Sequence, residues 1–425
     1  MVVLKTILIG VFALVGLLGL GFALQSLRHP YVYQKDFIQE YLLAKAVLRG
    51  IDPYLPLPEL ADEILGPLPN LILQHPTPHP PPVALISLPL GLLTYEQAAG
   101  VWLAFEAVCI VIAVRLLLGW LVDRPGWKLT LAASLLVMAW SPFWEELVTG
   151  QLMALLLVLL IGAWQALRSG HAVKGGVLLG CSVALKLIAW PLVIWLALRK
   201  NWRAVGAAGV TLAVSNLLAA GLMGFERVWT FYLNVGGDVS ALYRAYEYNF
   251  SLWSVGWRIF AGAGSTVVAG IEARPLIDAP DVAPWVSWII PAVVLIIGLW
   301  WAIHAQRFDT SFAILLCVSI LVSPVAWRHY LVLLAIPIVV VGRDLDALDW
   351  PERPTYAAIF LGVLLFIPRR RLHDMILWLA GQGPATETPP RVAFGAGLFS
   401  LLPALAICGL AWLVWRLRYA RPEEA

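Results

Sequence analysis

Residues 7–24 form an unbroken run without a polar side chain, and stretches of comparable apolarity recur to the end of the chain. No other feature constrains the fold as much. A helix of about twenty apolar residues spans a bilayer core of about 30 Å. In hydrocarbon, only helices and closed barrels satisfy their own backbone polar groups. Apolar windows fall at about 5–27, 96–121, 129–142, 151–167, 175–198, 204–222, 285–303, 310–323, 330–342, 355–367 and 394–415, and most read as spanning helices. Of the 425 residues, 61% are hydrophobic and 13% charged, against about half apolar in a soluble globular chain. Polar residues collect between the runs instead of spreading along each helix face, so the bilayer is the better solvent for this sequence.

The opening run follows Lys5 and is too long for the apolar core of a signal peptide, so it reads as a retained first span. A long segment, 28–95, follows. It holds an amphipathic stretch (37–48), the turn His75-Pro76-Thr77-Pro78-His79-Pro80-Pro81-Pro82, and an apolar run (83–93) too short to span, which predicts a re-entrant or interfacial helix. Window 175–198 carries Lys186 and Pro191 near its middle and predicts a hairpin of two short helices with Lys186 at the outer tip. The positive-inside rule places Arg124, Lys128, Arg168, Lys174, Arg199, Lys200, Arg203, Arg307, Arg343, Arg416, Arg418 and Arg421 in the cytoplasm. Both termini are then cytoplasmic. The expected fold is all-α: a polytopic membrane helix bundle of about twelve spans, one domain over 1–425, with outer loops at 28–95, 223–284 and 368–393.

Several function classes drop out. A net charge of +3 with basic residues at helix ends leaves no continuous face for nucleic acid. Cys109, Cys181, Cys317 and Cys408 sit in apolar runs without paired spacing and read as inert. His75 and His79 are four apart, but the intervening prolines prevent the helix on which that spacing would bind a metal. There is no glycine loop for a nucleotide. No metal and no cofactor is expected.

The topology gathers Asp36, Glu145, Gln151, Lys186, Asn249 and His329 at the outer face from separate parts of the chain. Asp36 and Glu40 are spaced to share a helix face. A carboxylate in a partly dry pocket is suited to general-base work, although Asp36 also has the composition of a helix cap. Lys186 lies between Leu185 and Leu187. A buried ammonium needs a partner, for which phosphate is the natural choice, or it snorkels to the interface. Arg328 and His329 follow Ser323-Pro324-Val325-Ala326-Trp327, a break suited to holding a phosphate, while a lone histidine at a helix end is more often structural. Gln151 and Glu145 near one helix start, with Asn249 at another, suit a hydroxyl-rich ligand, and capping explains Asn249 as well. Glu106 is a carboxylate within a span that needs a partner. Arg369, Arg370 and Arg371 are either a solvated run or an anionic headgroup site. The 21 tryptophans fit interfacial belts first.

Together these segments resemble glycosyltransferase family 87, polyprenol-phosphate-mannose-dependent mannosyltransferases of the GT-C membrane fold. The resemblance is carried by Asp36-Phe37 with Tyr41, Ala44 and Gly50-Ile51-Asp52-Pro53-Tyr54, and by Pro80-Pro81 leading to Pro89. It continues in Gly150-Gln151 with Lys186 and Pro191, and in Ser323-Pro324 with Trp327 and His329. It implies that Asp36 is the catalytic base and that Lys186 and His329 meet the donor phosphate, where the neighbouring Arg328 adds a permanent charge. Glu40 departs from the family pattern, where an apolar or aromatic residue is usual, and either assists the base or binds acceptor. The implied reaction moves a hexose, mannose by resemblance, from a polyprenyl-phosphate carrier to a glycan, glycolipid or protein acceptor outside the plasma membrane. Two rivals remain at this stage. A transporter or flippase of lipid-linked sugars also uses charged groups and broken helices in the membrane. A scaffold protein would tolerate alanine throughout the polar set.

Overall fold

The computed structural model describes residues 2–68, 74–244, 246, 249–261, 275, 277–348, 352–366 and 401–419. These residues are helical or irregular, with no strand among them. In chain order the helices begin with α1 (Val2–Gln25), α2 (Ile38–Arg49), α3 (Leu57–Ile64), α4 (Val83–Ser87) and α5 (Tyr95–Leu121). They continue with α6 (Trp127–Val137), α7 (Ser141–Thr149), α8 (Met153–Arg168), α9 (Ala172–Leu185) and α10 (Trp190–Leu198). Next are α11 (Trp202–Met223), α12 (Phe225–Thr230), α13 (Gly236–Leu242), α14 (Ser254–Phe260) and α15 (Ala283–His304). The last described are α16 (Phe308–Leu321), α17 (Ala335–Asp346), α18 (Glu352–Phe366) and α19 (Leu402–Arg416). Arg369, Arg370, Arg371 and the predicted third loop, 368–393, lie outside the described residues.

The chain divides into two compact units, 1–187 with 203–237 and 188–202 with 238–425. In the first, α8 packs on α5 and α9, α1 lies along α6 and α7, and α2 is packed on α3 and α4. In the second, α16 packs on α10, α15, α17 and α19.

Local chemistry sets the boundaries. Thr94 and Gln97 form a reciprocal capping box that starts α5: the Thr94 hydroxyl accepts from the Gln97 N–H at 3.4 Å, and the Gln97 side chain accepts from the Thr94 N–H at 3.2 Å. Pro142 in the first turn of α7 prevents α6 from running on, and the two helices bend by 84°. The predicted break inside 175–198 is found: α9 ends at Lys186, whose backbone is extended, and α10 begins at Trp190. The α9 surface facing α11 must be bare, because a Cβ on Gly180 would lie 2.8 Å from the Thr211 Cβ.

Four segments among the described residues are long and apolar enough to cross a membrane: Ile7–Gln25, Tyr95–Leu121, Trp202–Met223 and Pro280–His304. The bent α6–α7 pair makes a fifth if counted as one span. The expectation of about twelve is not reached on this measure. The other apolar helices, Val83–Leu92, α8, α9, α16 and α19, are each only 10–17 residues long. On α16 every residue from Asp309 to Leu321 is buried, and α8 buries most of its length, so their apolar residues are protein core. On α1, α11 and α15 only 17%, 17% and 22% of the most apolar window is buried, which leaves an apolar surface for lipid.

Candidate active site

The first unit brings Asp36, Gln151 and Lys186 into one hydrogen-bonded chain. Asp36 precedes α2 in a tight turn and keeps an intermediate exposure, while Gln151 follows the end of α7 and is buried. The Gln151 Nε2 donates to Asp36 Oδ2 at 3.0 Å. The Lys186 Nζ, at the break after α9, donates to Gln151 Oε1 at 3.1 Å. The amide is thus read in both directions, its NH2 by a carboxylate and its oxygen by an ammonium. Lys186, like Asp36, is only partly buried.

Backbone geometry delivers Gln151 to this place. Gly150 takes a left-handed φ of 74°, and its N–H caps α7 by donating to the Glu146 carbonyl at 2.7 Å. A Cβ there would lie 2.8 Å from the Phe37 Cβ. The Gly150 carbonyl accepts from the Trp102 indole at 2.9 Å, and the Thr149 carbonyl accepts from the Phe37 N–H at 3.1 Å.

Around this chain lie further ionisable groups. Glu40, one turn on from Asp36, is fully buried and pairs with His79 at 3.0 Å. His79 therefore meets a carboxylate inside the protein, and Glu40 faces the proline-rich segment. Of the pair Glu145 and Glu146, the half-buried Glu145 is the candidate raised by the sequence. Glu146, which was not singled out, is fully buried and accepts from the Ala154 N–H at 3.0 Å at the start of α8. A signal for it existed: Phe143, Glu146, Leu147 and Gly150 recur at helical spacing on the buried face of α7. Glu106, on α5, is buried with neither oxygen hydrogen-bonded among the described residues, and its electrostatic neighbours are Glu146, Lys35 and Glu40.

Lys35 also escaped sequence reasoning, because a lysine just beyond a span reads as an interfacial flank. It is 2% exposed. Burial lowers its ammonium to about 8, against the attraction of Glu106, Asp36 and Glu146. Burial raises the Asp36 carboxyl above its ordinary range. The Gln151 hydrogen bond opposes this, Glu40 adds to it, and Lys186 and His79 oppose it.

Asn249, Arg328 and His329 belong to the second unit. Asn249 is fully buried and its amide is engaged by backbone. Its Oδ1 accepts from the N–H groups of Ser251 at 3.0 Å and Ala326 at 2.9 Å, and its Nδ2 donates to the Tyr243 carbonyl at 3.1 Å. It ties segment 249–251 to segment 323–326, just before Trp327. The Trp327 ring meets Tyr243 and Tyr246 edge to face at 5.3 and 5.6 Å. A 3-10 helix, Arg328–Leu334, follows with His329 buried and Arg328 half-buried.

Comparison with known proteins gives a family. The sequence model of glycosyltransferase family 87 matches residues 78–324, a range that holds Gln151, Lys186 and Asn249, with Asp36 before it and Arg328 and His329 after it. The chain is 25% identical over 340 residues to the polyprenol-phosphate-mannose-dependent alpha-(1-2)-phosphatidylinositol mannoside mannosyltransferase of Mycobacterium tuberculosis, covering 73% of this chain and 74% of that protein. It is also 25% identical over 347 residues to the protein of the same description from Mycolicibacterium smegmatis, covering 73% of each. No solved structure matches. With more than half of its length matched by the family model, the chain belongs to glycosyltransferase family 87.

Proposed function

We propose that the protein transfers mannose from a polyprenyl-phosphate carrier to an acceptor hydroxyl, with Asp36 as general base. The observation that carries this reading is the chain Asp36–Gln151–Lys186, in which an amide holds a carboxylate and an ammonium at a set separation. Asp36 takes the proton from the acceptor hydroxyl, and that oxygen forms a bond to the sugar's anomeric carbon. The bond from that carbon to the phosphate oxygen breaks, and its electron pair leaves with the polyprenyl phosphate. Lys186 offsets the charge that develops on the departing phosphate. His329, in the second unit, is assigned to donor phosphate on the family resemblance alone, and Arg328 on its permanent charge beside it. The mannosyl group and the lipid carrier follow from what the two mycobacterial relatives are named for, and their acceptor, a phosphatidylinositol mannoside by name, favours a glycolipid among the acceptor classes. The distribution of lysine and arginine supports cytoplasmic termini and an extracytoplasmic site in the plasma membrane.

The test uses purified protein with polyprenyl-phosphate mannose and a hydroxyl acceptor, scored by release of free polyprenyl phosphate. Asp36→Asn is expected to lower turnover by about 10²–10⁴-fold, the usual worth of a positioned base, with recovery from membranes unchanged. Wild-type turnover by this variant ends the assignment.

A further inference from the structure

We propose that Lys35 is a positioning residue for the transfer reaction, clamping the end of α7 so that Asp36 and Gln151 meet in register. This rests on the assignment of Asp36 as base.

Any helix leaves the carbonyls of its last turn without an internal partner. At the end of α7 each of them is accounted for, and mostly from one place. The Glu146 carbonyl is taken by the Gly150 N–H. The Lys35 Nζ donates to the Leu147 carbonyl at 2.8 Å and the Val148 carbonyl at 2.6 Å. The Thr149 carbonyl accepts from the Phe37 N–H. Three consecutive carbonyls are therefore held by the segment that carries Asp36, and the chain then turns at Gly150 and presents Gln151 to that same Asp36. The loop closes on itself.

The third proton of the ammonium goes to Ser26 Oγ at 2.9 Å, and Ser26 donates in turn to the Ala23 carbonyl at 2.7 Å near the end of α1. A lysine has three N–H bonds to give. All three are given to protein, in a side chain 2% exposed, so Lys35 has none left for a substrate phosphate. That separates it from Lys186, which is partly exposed and spends a bond on the Gln151 amide. A cation also suits the negative end of the α7 dipole, as a neutral donor would not.

The experiment measures kcat and KM for polyprenyl-phosphate mannose in full-length purified protein carrying Lys35→Met, Lys35→Arg, Ser26→Ala or Asp36→Asn. Lys35→Met is expected to lower kcat by about 100-fold, the scale of a misplacement near 1 Å, with KM within a factor of about three. Lys35→Arg, which keeps charge and donors, recovers part of that loss. A raised KM at unchanged kcat overturns the proposal by making Lys35 a substrate ligand, and wild-type kinetics for Lys35→Met overturns it while an inactive Asp36→Asn leaves the base assignment standing. An active Asp36→Asn removes both. Should Lys35→Met not be recovered folded, Ser26→Ala decides: a fall in kcat of severalfold at constant KM supports the clamp, and wild-type kcat overturns it.

Discussion

Asp36 and Lys186 are conspicuous as single residues, because ionisable groups next to long apolar runs are costly unless partnered. Their bond through Gln151 is not conspicuous, since Asp36 and Gln151 stand 115 positions apart in the chain. That bond has a measurable consequence. With Asp36 as the proposed base, transfer requires it ionised, and the raised carboxyl places the acid limb of the pH–rate profile above the ordinary carboxylate range. Gln151 holds the carboxyl down, as do Lys186 and His79, while burial and Glu40 push it up. Gln151→Leu removes a lowering influence, so its acid limb moves to higher pH than that of the wild type, together with a lower maximal rate. A profile of kcat against pH for the two proteins checks the direction; a shift toward acid would contradict it. Lys35 and Glu146 were missed for different reasons: the first imitates an interfacial flank, and the second was passed over beside Glu145 although the spacing on α7 marks it as inward.

At the scale of elements, the sequence was most informative where chemistry interrupts periodicity. Pro142 separates α6 from α7, and the polar Lys186 with Pro191 marks the gap between α9 and α10. The short run after Pro82 folds as α4 and a following 3-10 turn, below spanning length as expected. Gly150 is the element-scale pivot. Gly150→Ala forces a side chain into a left-handed backbone, which costs about 1–2 kcal/mol, and drives its Cβ against the Phe37 Cβ. Lower thermal stability in detergent and a loss of turnover larger than the stability change explains are the expected outcome, since Gln151 is displaced with it. An alanine variant with wild-type turnover would show that the α7 turn does not set the site.

For the whole molecule, the apolar runs divide into two populations that composition does not distinguish. α16 is core and α15 is largely surface, yet both are strongly apolar. A charge on the surface population faces lipid. Ile296→Lys on α15, at a residue 65% exposed, is expected to cost about 2.5–3.5 kcal/mol of insertion if near the bilayer centre and to reduce recovery in the membrane fraction, whereas Ile296→Leu leaves it unchanged. Equal recovery of the two variants would place that face of α15 away from lipid.

By itself the sequence determined that the chain is helical and belongs in a membrane, because runs such as 7–24 and 96–121 have no other solvent in which their backbone and side chains are both satisfied. It also marked Asp36, Gln151 and Lys186, since polar groups in apolar surroundings need a reason. Only the tertiary structure decided which apolar helices are core and which meet lipid, and which distant polar groups touch. Both are properties of packing between segments far apart in the chain, and hydrogen bonds such as those from Lys35 to the end of α7 exist only once the helices that carry their two ends have docked.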